Sequence, residues 1–154
     1  MTNRFPDLKA EILQGLSIGG ICIGDDINTV LSCLAEDCPV SSDYFFAPDG
    51  RCLMWYCFYD GAVSLTADED GVILDVRCRK PYRGLFDGRI GPGMTAAEIA
   101  KFSRHQEECY GYLVLDNNYQ IYLSLPDGCD DFERFSDLPE DIVFEQLYVG
   151  NLLG

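Results

Sequence analysis

The densest group of reactive side chains in this sequence is acidic. Residues 127–145 contain eight carboxylates and one base, Arg134, with Phe132 and Phe135 interleaved among them. Carboxylates beside aromatic rings are typical of a surface that binds a basic partner, because the charges attract the partner and the rings anchor the contact. The alternative is a solvated loop whose phenylalanines pack into the core. We predict a partner-binding surface formed by Asp127, Asp130, Asp131, Phe132, Glu133, Phe135, Asp137 and Asp141, with a second, smaller acidic point at Asp68, Glu69 and Asp70.

Groups that could perform catalysis are scarce. His105 is the single histidine, and Cys109 follows it at an offset of four, which could bring the two together on a helix. The intervening apolar periodicity has already failed, and Tyr110 and Gly111 indicate that the helix has ended. We therefore predict no catalytic residue and no enzyme. Loss of function in a Cys109→Ala variant would revive the alternative of a cysteine enzyme.

Metal and cofactor sites are also not indicated. Zinc needs closely spaced ligands, whereas the nearest cysteine pairs, Cys33/Cys38 and Cys52/Cys57, are five residues apart and would point to opposite faces of a strand. The glycines at 91 and 93 lack the Gly-Lys-Ser/Thr that would follow in a phosphate-binding loop. We predict no metal and no cofactor.

Length and charge restrict the class of protein. A chain of 154 residues suits one compact domain. Its 26 acids against 11 Lys and Arg give a net charge of −15, which repels nucleic acid and anionic membranes and favours a cationic partner. No run of about 18 apolar residues could span a bilayer, and no export signal is recognisable. We expect a cytoplasmic protein whose eight cysteines are mainly reduced.

The pattern of apolar residues predicts the elements that must position these groups. Residues 5–16 have helical spacing, and a second helix is expected to begin at Asp26 and to end before Pro39. Apolar or alternating runs at 52–59, 62–67 and 72–78 predict strands. Asp-Gly pairs at 60–61 and 70–71 separate these runs and are strong hairpin signals.

A similar order recurs at an offset of 69 residues. The turn and helix start at 21–26 align with 90–95, Thr95 and Glu98 have the spacing of a capping box, and alternating runs follow at 112–115, 119–125 and 142–149. The repeat predicts an α+β fold of two tandem units, each a short helix packed on an antiparallel β-meander. The predicted divisions are an N-terminal helix at 1–16, a first unit at 17–80 and a second at 81–154, all within one compact domain.

The duplicated turn, capped helix and meander resemble the tandem architecture of the beta-lactamase inhibitor protein. They are also similar to small immunity proteins of bacterial contact-dependent growth inhibition and related polymorphic toxin systems. The resemblance covers roughly residues 17–150, and no site of those families maps residue by residue onto this chain. It is carried by Gly24, Asp25, Asp26, Val30 and Leu34 in the first unit and by Gly93, Met94, Thr95, Glu98 and Ile99 in the second.

What the resemblance implies is a cytosolic protein that binds and blocks one cognate partner. The leading hypothesis is an immunity protein that covers the active site or substrate surface of a toxin domain. The expected toxin is a basic nuclease, and the protein is expected to be a monomer when free. The alternative is an acidic secretion chaperone for an effector protein. Such chaperones dimerise through helices, and residues 147–154 contain no long closing helix, so a measured monomer mass would favour immunity.

Overall fold

The fold is dominated by short and medium β-strands. The computed structural model describes residues 5–129 and 131–153, which contain twelve strands, two α-helices and two 3-10 helices. The elements are β1 (Ser17–Ile18), β2 (Ile21–Cys22), α1 (Ile27–Cys33), β3 (Val40–Phe46), β4 (Cys52–Phe58), a 3-10 helix (Tyr59–Gly61), β5 (Val63–Ala67), β6 (Ile73–Arg79), β7 (Met94–Thr95), α2 (Ala96–Phe102), β8 (Gln106–Cys109), β9 (Tyr112–Leu115), β10 (Ile121–Ser124), a 3-10 helix (Phe135–Asp137), β11 (Val143–Phe144) and β12 (Gln146–Val149).

Eight of these strands form one antiparallel sheet. Their order is β3-β4-β5-β6-β12-β10-β9-β8, so four strands from the first half of the chain meet four from the second half. The seam lies between β6 and β12, where Cys78 is opposite Leu147 and Val76 is opposite Val149. Two small two-stranded antiparallel sheets, β1-β2 and β7-β11, lie outside this sheet.

This architecture corrects the predicted fold class. The sequence predicted two tandem helix-on-meander units, but the chain is mostly β, with a single eight-stranded sheet and two helices of seven residues each. A helix of two turns covers little of a sheet, and α1 ends at Cys33 because the acidic stretch before Pro39 does not continue its apolar stripe. The alternating strands instead bury their apolar side chains through one continuous sheet. The division at residues 80 and 81 stays a prediction.

The predicted N-terminal helix is also wrong for the part of it that the structure describes. Residues 5–16 form turns and isolated bridges. Their backbone groups pair with distant segments, since Asp7 N–H donates to Gly19 O and Ile12 N–H donates to Leu85 O. The buried Tyr82 hydroxyl also holds this segment, because it donates to Ala10 O at 2.6 Å. Long-range backbone pairing therefore overrides the local helical spacing.

One face of the sheet carries the apolar core. Opposite residues in neighbouring strands share a face, and the series Leu65, Val76, Val149, Ile121 is buried on this side of β5, β6, β12 and β10. Packed against this core face are buried residues from outside the sheet: Ile12, Ile18, Ile21, Ile27, Val30, Tyr82, Ile90, Ala96, Ile99, Phe135 and Phe144. The residues that pack on the sheet from outside it thus lie on the same side.

Both helices begin at the predicted capping residues. The Asp26 carboxylate accepts the Asn28 N–H at 2.8 Å, and the Thr95 hydroxyl accepts the Glu98 N–H at 3.2 Å. Glu98 accepts the Thr95 N–H in return, which completes the predicted capping box and lowers the pKa of Glu98. The starts of α1 and α2 are therefore determined by local side-chain chemistry.

We expect Thr95→Ala to lower the free energy of unfolding by about 1 kcal/mol, because it removes the N-cap oxygen and half of the reciprocal box. Chemical denaturation measures this difference. The matched control is Thr29→Ala, an exposed helical threonine in the first turn of α1 that caps no helix, and it should change stability by less than about 0.5 kcal/mol. Equal losses in the two variants would contradict the capping role.

Candidate binding face

The face of the sheet opposite the core is rich in aromatic and polar side chains. The alternation of side chains along each strand places them there, since Arg77 lies between Val76 and Cys78, and Tyr148 lies between Leu147 and Val149. We call this surface the tyrosine face. Its central residues are Trp55, Thr66, Asp75, Arg77, Tyr112, Tyr122 and Tyr148. None of them belongs to the apolar core cluster.

Three tyrosines form a contiguous ring cluster on this face. Tyr122 and Tyr148, directly opposite each other on β10 and β12, stack with ring centroids 5.2 Å apart and an interplanar angle of 6°. Tyr112 meets both rings edge-on, at 4.9 Å from Tyr122 and 5.2 Å from Tyr148. Such contacts hold the rings in fixed positions. Tyr122 is only 7% exposed, so the accessible aromatic surface comes from the half-buried Tyr112 and Tyr148.

Arg77 extends the cluster across the seam between β6 and β12. Its Cζ lies 5.4 Å from the centroid of the Tyr148 ring, within cation–π range. Its Nη2 donates to the Thr66 hydroxyl at 2.6 Å and to Asp75 Oδ1 at 3.3 Å. The Arg77 side chain is 23% exposed, and its buried Nε has no hydrogen-bond partner among the described residues. The guanidinium is thus held in place by its neighbours, and its Nε is too buried to donate to a partner.

Burial determines the protonation of these groups. It raises the pKa of Tyr122 and of Tyr148, although Arg77 opposes the increase at both, so both phenols stay protonated at neutral pH. Burial also raises the pKa of Asp75, against the opposing effects of the Arg77 guanidinium and the Thr66 hydroxyl. The accessible part of the face therefore consists of two half-buried tyrosine rings and one guanidinium, which are groups suited to binding.

The acidic segment predicted from the sequence lies at one end of this sheet. It joins β10 to β11, and Asp127, Asp131, Glu133, Asp137 and Asp141 are exposed. Asp130 lies outside the described residues. That these carboxylates attract a basic partner stays a prediction.

The two phenylalanines of that segment do not act as exposed anchors. Phe135 is buried, and its ring stacks on Phe144 with centroids 6.0 Å apart. Phe132 is half-buried and packs edge-on against Phe135 at 6.0 Å. Phe135 is therefore not an exposed anchor, because its ring completes the core and Phe132 supports that packing. A contact of either residue with a partner stays a prediction.

The second acidic point has a structural role. Asp68 Oδ1 accepts the N–H groups of Asp70 and Val72, both at 2.9 Å, and Glu69 Oε1 accepts the Cys52 N–H at 3.3 Å. These bonds shape the turn between β5 and β6. From the strand register, this turn lies at the opposite end of the sheet from Asp127, so the two acidic groups do not form one site.

The structure separates the candidate catalytic pair. The helix ends at Phe102, so His105 precedes β8 and Cys109 ends it, and four extended residues span about 13 Å. Burial, followed by the nearby charges of Glu107 and Glu108, raises the pKa of the Cys109 thiol, which disfavours the reactive thiolate. All eight cysteines are unpaired in the structure.

Among the described residues, no group of three or more His, Cys, Asp and Glu side chains has an arrangement that could hold a metal ion. In the same part of the chain, no helix has the length and apolar character needed to span a membrane.

Comparison with known proteins adds information on the fold. The fold resembles that of a protein from Escherichia coli whose structure has been solved. The similar structure is the crystal structure of the uncharacterized protein YfeY, with a TM-score of 0.63 and 9% sequence identity, covering 92% of this chain and 100% of that chain. No family model and no curated protein matches the sequence. At this identity the likeness concerns the fold alone.

Proposed function

We propose that this protein is an inhibitor-type binding protein, of the immunity class, that captures a cationic protein domain on its tyrosine face. The observation that supports this proposal is the rigid group of Arg77 and three tyrosines on a sheet face free of the apolar core cluster. Tyrosine, tryptophan and arginine are the residue types that contribute most to binding energy at protein interfaces. A preorganised cluster of them also loses little side-chain entropy on binding.

In this proposal the acidic segment and the tyrosine face have different roles in binding. The net charge of −15 and the exposed carboxylates at residues 127–141 attract a basic domain over a long range. The tyrosine face then supplies the short-range contact. This arrangement suits an inhibitor of a basic toxin such as a nuclease in the cytoplasm, since exposed carboxylates carry the same charge as substrate phosphates.

The proposal is tested by identifying the partner and then asking whether it is neutralised. The tagged protein is used to capture a partner from the source cell, and the partner is purified and expressed alone in a host strain. We expect growth arrest that co-expression of this protein relieves. A partner that is harmless alone but is secreted only in the presence of this protein would instead indicate a secretion chaperone and contradict the immunity function.

We expect the acidic segment to control the rate of association. Replacing Asp131, Glu133 and Asp137 together by the corresponding amides should slow association with the purified partner about tenfold or more at low salt, because steering by surface charge acts on encounter. Dissociation should change little. Stopped-flow measurements at about 0.05 and 0.5 M salt test this, since the Debye length falls from roughly 14 to 4 Å.

The matched control replaces Asp68, Glu69 and Asp70, at the other end of the sheet, by amides. If this variant associates as slowly as the first, the effect reflects total charge, and the segment at 127–141 has no special role.

A further inference from the structure

The two edges of the main sheet differ in their protection. Edge strand β8 has four residues and contains Glu107 and Glu108, which are features that deter pairing with another chain. Edge strand β3 has seven residues, all of them exposed. Its Tyr44 and Phe46 are 61% and 68% exposed, and their rings contact each other edge-on. The β3 edge is therefore a long strand with exposed aromatic side chains and one free side.

Backbone pairing shows which groups of β3 face outward. At its two ends, Tyr59 N–H donates to Pro39 O and Ala47 N–H donates to Arg51 O. In an antiparallel ladder hydrogen-bonded pairs alternate, so the odd-numbered residues of β3 bond to β4. The N–H and C=O groups of the even-numbered residues, including Ser42 and Tyr44, consequently point away from the sheet.

One of these outward donors is already occupied. Asp43 Oδ1 accepts the Tyr44 N–H at 2.8 Å. An incoming strand would need that N–H for its own carbonyl, so it must first displace the carboxylate. A lysine or arginine placed opposite Asp43 on the incoming strand would draw the carboxylate away and pair with it.

We propose that β3 accepts an extended segment of a partner protein that carries a lysine or arginine opposite Asp43. A second copy of this chain is disfavoured, because β3 contains no base and symmetric pairing centred on residue 43 would set two Asp43 carboxylates against each other. The net charge of −15 favours the same basic segment over long range. Main-chain hydrogen bonds supply the affinity, and the Asp43 carboxylate favours a segment with a basic residue opposite it.

A strand-addition peptide tests the proposal directly. The probe is a labelled nine-residue peptide of alternating threonine and valine with lysine at its centre, and its comparison peptide has glutamate there. Fluorescence anisotropy should show the lysine peptide binding at least tenfold more tightly to the wild-type protein. In an Asp43→Asn variant the difference should fall below threefold. In Asp49→Asn, whose carboxylate pairs with Arg51 beyond the end of β3, the difference should persist.

Three results would overturn the proposal. The first is equal or undetectable binding of the two peptides. The second is undiminished binding of a lysine peptide in which the amides that would bond to β3 are N-methylated. This modification removes the N–H donors that strand addition requires. The third is a wild-type dimer, detected by sedimentation, that Tyr44→Lys dissociates, because a second copy would then occupy the edge. None of these results would alter the test of the tyrosine face.

Discussion

Replacing Arg77 by alanine should weaken binding of the purified partner about 30-fold or more. The guanidinium lies over the Tyr148 ring at the seam of the sheet, and its side chain remains 23% exposed. Truncation of such a central arginine typically costs about 2 kcal/mol or more of binding free energy. Isothermal titration calorimetry on the wild-type and variant proteins gives the change in Kd.

Loss of fold must be separated from loss of contact in this experiment. Arg77→Ala leaves the carboxylate of Asp75 without its ion pair, so thermal unfolding of each variant has to accompany the binding measurement. Arg77→Lys keeps the positive charge but loses the planar fork that bonds Thr66 and covers Tyr148, and we expect it to bind nearly as weakly as Arg77→Ala.

The matched control for Arg77 is Arg134→Ala, an exposed arginine within the acidic segment that does not belong to the tyrosine face. It should bind the partner within about threefold of the wild type, because an isolated surface charge contributes little. Wild-type affinity in Arg77→Ala together with weaker binding in Arg134→Ala would indicate that the interface lies at the acidic end of the sheet.

Leu147→Ala should produce the largest loss of stability. Leu147 is fully buried and lies opposite Cys78 on one side and Leu123 on the other, so it packs across the seam that joins the two halves of the sheet. Removing a buried leucine side chain costs about 2–5 kcal/mol, because transfer energy is lost and a cavity remains. For a chain of this length, a loss of about 3 kcal/mol corresponds to a fall in Tm of roughly 6–12 °C.

Differential scanning calorimetry measures the effect of Leu147→Ala and shows whether the sheet unfolds as one unit. We expect a single transition, displaced to lower temperature. Leu153→Ala, at a residue that is 60% exposed, should change Tm by no more than about 2 °C. Two separate transitions in Leu147→Ala would contradict a single cooperative sheet.

Local sequence chemistry predicted several elements correctly. The strands expected at 52–59, 62–67 and 72–78 occur at 52–58, 63–67 and 73–79, because continuous apolar runs and alternation specify extended chain with a buried face. The capping box at Thr95 and Glu98 is confirmed. In each case the responsible residues are close in sequence.

Features that depend on distant residues were not predictable in the same way. Strand β3 was missed because Ser41, Ser42 and Asp43 interrupt its apolar pattern and both of its faces are exposed. Residues 5–16 have helical spacing, but their N–H groups bond to Gly19, Leu85 and other segments that no local pattern reveals. Pairing of β6 with β12 likewise joins residues about 70 positions apart.

The tyrosine face left a partial signal in the sequence. Arg77, Tyr122 and Tyr148 each alternate with buried aliphatic or thiol neighbours, so each could be placed on the second face of its own strand. Strand order was the missing information, because β12 lies between β6 and β10 and brings the three together. The acidic segment was easier to recognise, since its carboxylates lie close together in the sequence.

The sole tryptophan provides the most direct test of the tyrosine face as the binding surface. Trp55 lies opposite Thr66, which accepts the hydrogen bond from Arg77. Protein labelled with 5-fluorotryptophan therefore gives one fluorine resonance, and tryptophans of an unlabelled partner do not contribute. We expect this resonance to be replaced by a shifted one as partner is added, with completion at the stoichiometry that calorimetry measures. An unchanged Trp55 resonance at full saturation would contradict binding at the tyrosine face.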